Sequence, residues 1–423
     1  MAVTKGQPSG FWPACAAYLF PMLAAVMAGM RSSDTSPWGI APITADFRVY
    51  VVAARVLLEG GDFYAPVPGV FPYIYPPLAA LLATPFTLVP WVAAQTIWLA
   101  LQGALVVLVL RRLGLSLTAA GMAGVAVILL LAPFGSVMEL GQVGVLLLAL
   151  VVLDLIRPAE DRRRRLPAGI GLGVATGIKL TPAVFIIHLW LIGRRRDAAV
   201  ASGTFLATVA LGLAVAPTRA WGYWWRLAMG DSGANMDSSG WLFNLSVVSA
   251  TQRFLGLETG KSVGLMLALI LLVVGLAAAA LAHRRGQSLL ALGVLGLTSS
   301  LANPIAWIHH LVWVLLLIAA LLPAAFTTDS SGKHADGPTS EDLPSPMRWL
   351  VLLVTIWMCT QPQLTIGGAP HAVEEIHGYT AWEKTLAAMP DILVAVLAVS
   401  VLVWCLQMQR DATRTRPMES DVS

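Results

Sequence analysis

Apolar runs of membrane length alternate with short basic or aromatic stretches along most of the chain. Phe11 to Met30 reads as a first span, followed by Trp91 to Leu110, Leu117 to Phe134, Val143 to Ile156 and Ala198 to Ala216. Val263 to Ala282, Ser288 to Leu301, a run from His310 to about Ala325, Trp349 to Gln361 and Ile392 to Met408 complete the series. A helix needs about 20 apolar residues to cross a bilayer core. Pro77 to Val89 is shorter than that and reads as a partial or re-entrant helix. Between Asp46 and Gly60 the pattern changes: Val49, Val52, Ala53, Val56 and Leu57 recur at helical spacing, with Arg48, Arg55 and Glu59 on the other side. Gly60-Gly61 stops that helix, which is expected to lie along the membrane surface.

The run from Leu166 to Ile192 is interrupted by Gly177-Ile178-Lys179-Leu180-Thr181-Pro182 and has arginine clusters on both flanks. Cytoplasmic loops carry the excess of Lys and Arg, so both ends belong inside. The segment is predicted to be a hairpin of two short helices with Lys179 and Thr181 at its tip. Applied to every basic cluster, the same rule gives about 12 crossings with both termini cytoplasmic. It also gives a first external loop over 31–77, a second over 217–257, a third from Gln363 to Met389, a disordered cytoplasmic loop over 327–347 and a cytoplasmic tail over 409–423. The whole of 1–423 reads as one integral-membrane unit.

Composition supports this. Of 423 residues 57% are hydrophobic and 12% charged, against about 25% charged in soluble domains. The net charge of +4 comes in clusters between apolar runs, so it marks membrane orientation and not a nucleic-acid partner. Cys15, Cys359 and Cys405 all lie in apolar segments, without metal or disulfide spacing. No inverted or parallel hydropathy repeat is visible, which counts against a secondary transporter.

Polar residues near the membrane gather at one predicted face: Asp46, Arg48, Arg55, Asp62, Glu139, Gln142, Lys179, Asn244, Arg253, Asn303, His309 and His310. Ionisable groups are costly there and mark functional sites. Asp46, at the entrance of the surface helix, is either a general base or a helix N-cap. Asp62, before Phe63-Tyr64, suits an Asx-turn. Lys179 is either a phosphate-binding point charge or a lysine snorkelling to the interface. Arg48, Arg55 and Arg253 could share that phosphate or pair with Glu59 and Asp62. Adjacent His309 and His310 diverge by about 100° on a helix, so one of them at most faces a given pocket. Without HExxH or an Asp-x-Asp element no metal is expected. Trp221, Trp224 and Trp225 read as an interfacial belt or, less simply, as a sugar-stacking surface.

Asp46-Phe47-Arg48-Val49-Tyr50, Leu58-Glu59-Gly60-Gly61-Asp62-Phe63-Tyr64 and Tyr75-Pro76-Pro77-Leu78 together resemble the first external loop of the polyprenyl-phosphate-mannose-dependent α-(1→2)-mannosyltransferases. Lys179 with Pro182, and Asn303-Pro304 leading to His309-His310, are similar to later segments of that family. The resemblance implies an all-α polytopic GT-C fold in the plasma membrane, with an extracytoplasmic active site. It implies a polyprenyl-phosphate-mannose donor, a phosphatidylinositol mannoside acceptor, inversion at the anomeric carbon and no cofactor. Asp46 would be the base and His310 its assistant, with Lys179, Arg48, Arg55 and Arg253 on the donor phosphate. Tyr75, Glu139, Gln142, Asn244, Asn303 and His309 would meet sugar or acceptor. A lipomannan or lipoarabinomannan mannosyltransferase or an arabinosyltransferase of the same fold, a polyprenyl-lipid flippase and a non-catalytic scaffold are the alternatives.

Overall fold

The computed structural model describes residues 11–32, 40–42, 44–156, 167–231, 242–322, 343–362 and 379–414. The chain opens with α1 (Phe11–Gly29), then strands β1 (Met30–Ser32) and β2 (Ile40–Pro42), which pair antiparallel with Arg31 opposite Ala41. This short ribbon is the one described departure from an all-helical chain. The amphipathic helix is α2 (Ala45–Leu58), and its C-terminus is closed by Gly60 at φ 74°. Phe47, Val49, Tyr50, Val51, Ala53 and Ala54 form its buried side, while Arg48 and Arg55 are exposed. Of the five apolar positions that set the pattern, Val49 and Ala53 are buried while Val52, Val56 and Leu57 are half-buried, so the packed face is turned toward Phe47, Tyr50, Val51 and Ala54.

Helix α3 (Pro77–Ala83) runs into a 3₁₀ segment, Thr84–Leu88, and stays short as expected. After α4 (Trp91–Arg112) and α5 (Leu117–Leu130), the chain bends by 79° at extended Leu131 into α6 (Ala132–Leu140). The apolar pattern predicts one span from Leu117 to Phe134, whereas the helix breaks at Leu131. The correction has a visible cause: Pro133 lacks the N–H that would continue α5, and it suits the first turn of a new helix. Gly141, at φ 69°, ends α6, and α7 (Gly144–Leu155) follows.

The hairpin forms as α8 (Ile170–Ile178) and α9 (Ala183–Leu191). Its two ends lie level with the C-terminus of α7. The Asp154 carboxylate accepts from the N–H groups of Gly169 (2.8 Å) and Leu172 (3.0 Å), and Arg194, just past α9, reaches the Leu155 carbonyl at 3.5 Å. Next come α10 (Arg195–Val215), α11 (Pro217–Ala228), α12 (Val247–Leu255), α13 (Leu257–Arg284) and α14 (Ser288–Leu301). The stretch predicted as the second external loop thus contains two helices; Trp241 lies outside the described residues. His309 and His310 fall in a 3₁₀ turn, Ile308–Trp313, that leads into α15 (Val314–Leu321). Last are α16 (Ser345–Thr360) and α17 (Ala381–Arg414). The last helix begins well before Ile392 and carries Pro390 inside it. Most of the predicted loops over 327–347 and 363–389, and of the tail over 409–423, fall outside the described residues.

Among the described residues five helices are long and apolar enough to cross a membrane, or six if bent α5–α6 is counted as one. Helices α7, α14, α15 with its 3₁₀ turn, and α16 are apolar but shorter. α1 packs on α4 and α5, and α13 packs on α12, α14 and α17. Small residues permit the close approach: a Cβ on Gly121 would come within 2.8 Å of the Ala17 Cα. The basic ends collect at one end of the bundle. Arg112 donates to the Ile156 carbonyl (3.2 Å), Arg284 to Leu191 (2.7 Å) and Arg285 to Cys405 (2.8 Å). Gln142, at the other end of α7, belongs to the site described next.

Candidate active site

The entry to α2 is anchored before it is reactive. Thr44, fully buried at the N-cap, holds φ 36°, a conformation costly for a β-branched residue. Its N–H donates to the Glu139 carbonyl at 3.1 Å, and its Oγ1 accepts from Gln95 Nε2 at 2.7 Å. Phe47 stacks on Trp98 at 5.0 Å and meets Phe86 edge-on at 5.1 Å. Asp46 is thereby held in the first turn, where the helix dipole favours a negative charge. The N-cap is Thr44, so the Asp46 carboxylate is left for other work. Gln142 Nε2 donates to its Oδ2 at 2.8 Å.

Gln142 is the hub of this end. Its Nε2 also lies 3.4 Å from the Tyr75 hydroxyl, and its Oε1 accepts from the Tyr50 hydroxyl at 3.4 Å. The Tyr50 and Tyr75 rings sit 4.7 Å apart. Tyr73 fixes the Tyr-Pro-Pro element from below: its hydroxyl donates to the Pro76 carbonyl (2.6 Å) and accepts from the Ala80 N–H (2.9 Å). Burial pushes the Asp46 carboxyl above the ordinary aspartate value, while the Gln142 hydrogen bond and the Lys179 charge oppose that rise.

Lys179 arrives from the hairpin tip. Its Nζ is 3.0 Å from His310 Nε2 and 5.4 Å from the centroid of the Tyr75 ring. His310 Nδ1 accepts from the Trp307 N–H at 3.1 Å, which turns Nε2 toward Lys179. The His309 ring packs edge-on against His310 at 4.5 Å, and both its nitrogens are buried with no hydrogen-bond partner among the described residues. The structure therefore gathers Asp46, Tyr75, Gln142, Lys179, His309 and His310 from five segments far apart in sequence. Among the described residues no three His, Cys, Asp or Glu side chains group as metal ligands.

A family model, Glycosyltransferase family 87, matches residues 73–304. The chain belongs to this family. A Mycobacterium tuberculosis protein named polyprenol-phosphate-mannose-dependent alpha-(1-2)-phosphatidylinositol pentamannoside mannosyltransferase is 30% identical over 88% of this chain and 83% of its own length. A Mycolicibacterium smegmatis protein of the same name is 33% identical over 66% of this chain and 69% of its own. A second Mycobacterium tuberculosis protein, a polyprenol-phosphate-mannose-dependent alpha-(1-2)-phosphatidylinositol mannoside mannosyltransferase, is 29% identical over 67% of this chain and 72% of its own. No solved structure matches the chain.

The other candidates of this family 87 protein hold different places. Arg48 and Arg55 are exposed on the far side of α2. Arg253 is fully buried and donates to the Asn244 carbonyl (3.0 Å), Ser249 Oγ (2.7 Å) and the Ala387 carbonyl (3.4 Å), tying α12 to α17. Asn244 braces the approach to the histidines, its Oδ1 accepting from the Ala306 N–H at 3.0 Å and its Nδ2 donating to the Pro304 carbonyl at 3.4 Å. Asn303 accepts from the Ile305 N–H at 3.4 Å within the same turn. Glu139 is half-buried near the end of α6 and offers its carbonyl to Thr44. Asp62 makes the expected Asx-turn, accepting from the Tyr64 N–H at 3.0 Å. Sequence reasoning passed over Gln95, Trp98 and Gln102, polar side chains inside an apolar helix. It also passed over Asp391, whose oxygens are buried in α17 without a hydrogen-bond partner among the described residues.

Proposed function

We propose that this family 87 glycosyltransferase moves mannose from polyprenyl-phosphate-mannose to a phosphatidylinositol mannoside, forming an α-(1→2) linkage with inversion. The observation that carries the reading is the Asp46–Gln142 hydrogen bond beside the Lys179–His310 pair, with Tyr75 in contact with both Gln142 and Lys179. The names of its relatives supply donor and acceptor.

The acceptor hydroxyl attacks the anomeric carbon as its proton passes to Asp46. The bond from that carbon to the phosphate oxygen breaks, and the polyprenyl phosphate leaves as a monoester. A leaving phosphate gains negative charge, which a fixed cation stabilises without a strong general acid, and Lys179 is that cation. His310, its Nδ1 already engaged by the Trp307 N–H, orients the acceptor, and His309 with Tyr75 frames the sugar. On this chemistry one base and a cationic clamp suffice, so transfer proceeds without added divalent metal. The positive-inside rule puts the basic ends in the cytoplasm and the cluster at the extracytoplasmic lip, with about 12 crossings when the short apolar helices are included. A cluster confined to one end suits an enzyme better than an alternating-access carrier, whose charges sit at mid-membrane.

The test is incubation of the purified protein with polyprenyl-phosphate-mannose and phosphatidylinositol mannosides of graded length, read by mass spectrometry. Addition of one hexose to a mannoside is the expected result. No hexose on any mannolipid would overturn the assignment.

A further inference from the structure

Three hydrogen-bond donors occupy one stripe of α4 at spacing i, i+3, i+7: Gln95, Trp98 and Gln102. Their relative exposures are 1%, 6% and 0%, in the interior of a helix long and apolar enough to cross a membrane. All three address the two turns that carry the Asp46–Gln142 bond. Gln95 Nε2 donates to Thr44 Oγ1 (2.7 Å), Trp98 Nε1 to the Gly141 carbonyl (2.8 Å) and Gln102 Nε2 to the Gln142 carbonyl (2.7 Å). Thr44 is the residue two before Asp46, so the stripe holds both partners of that bond. Burying an amide in a membrane helix is unfavourable unless it finds a partner. An apolar residue at 95 or 102 would satisfy packing alone.

We propose that Gln95, Trp98 and Gln102 form a positioning rail that sets the Gln142 amide against the Asp46 carboxylate and thereby sets the rate of transfer. The rail touches no substrate; it acts through Thr44 and Gln142, and it rests on the reading of Asp46 as base. The titratable groups facing Asp46 are Lys179 from the hairpin tip, Tyr75 from the Tyr-Pro-Pro element and Tyr50 on its own helix. Gln142 is the neutral donor among these neighbours, and its hydrogen bond favours the charged carboxylate. Loosening it moves the titration of Asp46 upward.

The experiment uses the full-length protein in lipid nanodiscs with polyprenyl-phosphate-mannose and a phosphatidylinositol mannoside. Gln102→Met keeps side-chain length and removes the amide; Trp98→Phe keeps an aromatic ring beside Phe47 and removes the N–H. Loss of one positioning bond is expected to lower kcat about tenfold, leave KM for both substrates unchanged and shift the acidic limb of the kcat profile to higher pH. In a Gln142→Ala background, Gln102→Met is expected to cost little more, because coupled groups are not additive. If Gln102→Met does not fold, Trp98→Phe and Gln95→Met carry the same kcat, KM and pH readouts. Wild-type kcat with an unmoved acidic limb overturns the rail, and so does a loss that persists in full without the Gln142 side chain. Asp46→Asn separates the two ideas. An inactive Asn variant beside unaffected rail variants removes the rail alone, whereas a fully active Asn variant removes the base on which the rail rests.

Discussion

Replacing Gly141 with alanine puts the geometry of the site under direct strain. Gly141 sits at φ 69°, and a Cβ built there would come within 2.7 Å of the Phe47 Cβ and 2.8 Å of the Thr44 Cβ. The left-handed backbone costs an L-residue about 1–2 kcal/mol, and forcing a methyl into a packed site costs a further ~1–3 kcal/mol. The neighbours that must yield are the N-cap of α2 and the ring that anchors it, on either side of Asp46. Gly60 supplies the control, since it sits at φ 74° with nothing within 4 Å of its added Cβ. Gly60→Ala should therefore show the backbone cost alone, far from Gln142. The assay pairs a thermal midpoint with kcat on the donor and a mannoside acceptor. Gly141→Ala is expected to lower the midpoint more than Gly60→Ala and to cut kcat by roughly 10–100-fold, the scale of a displacement near 1 Å. A Gly141→Ala protein with the stability and kcat of Gly60→Ala would refute the packing argument.

Lys179→Met should lower kcat/KM for the donor by about 10–100-fold, the scale of a charge-assisted bond to phosphate, measured with radiolabelled polyprenyl-phosphate-mannose. The Asp46 carboxyl lies above the ordinary aspartate value because of burial, and a base must be ionised to act. Activity is therefore expected to fall as pH drops through that raised value, and Gln142→Leu should move this acidic limb higher still, checked by the kcat profile. Arg253→Met should destabilise the protein by about 1–3 kcal/mol by removing its buried hydrogen bonds to Asn244, Ser249 and Ala387. Its donor KM should stay at the wild-type value, and thermal unfolding with steady-state kinetics distinguishes this from loss of a phosphate ligand.

Much of this was legible in the residues. That Asp46 to Gly60 holds a helix followed from five apolar positions at helical spacing, although two of the five, Val49 and Ala53, are the buried ones. The hairpin followed from arginines on both flanks of a broken apolar run, and Lys179 does reach the site from its tip. What escaped notice depends on contacts between distant segments. Gln142 is legible as a site residue, but it lies 96 residues from Asp46, and nothing in a neutral glutamine before a span announces that partner. Gln95 and Gln102 were averaged into a long apolar run. Arg253 looked like a phosphate ligand because its acceptors are backbone carbonyls and a serine, which leave no complementary charge nearby in sequence. The break at Leu131 had a signal in Pro133, which the unbroken apolar pattern overrode.

The claim at the centre is that one carboxylate takes the acceptor's proton. The most direct measurement is transfer by Asp46→Asn, which keeps side-chain shape and removes the base, with donor binding followed in parallel. Retained donor binding and no detectable hexose added to the mannoside are the expected result. Mannose transfer at the wild-type rate by the Asn variant would contradict it.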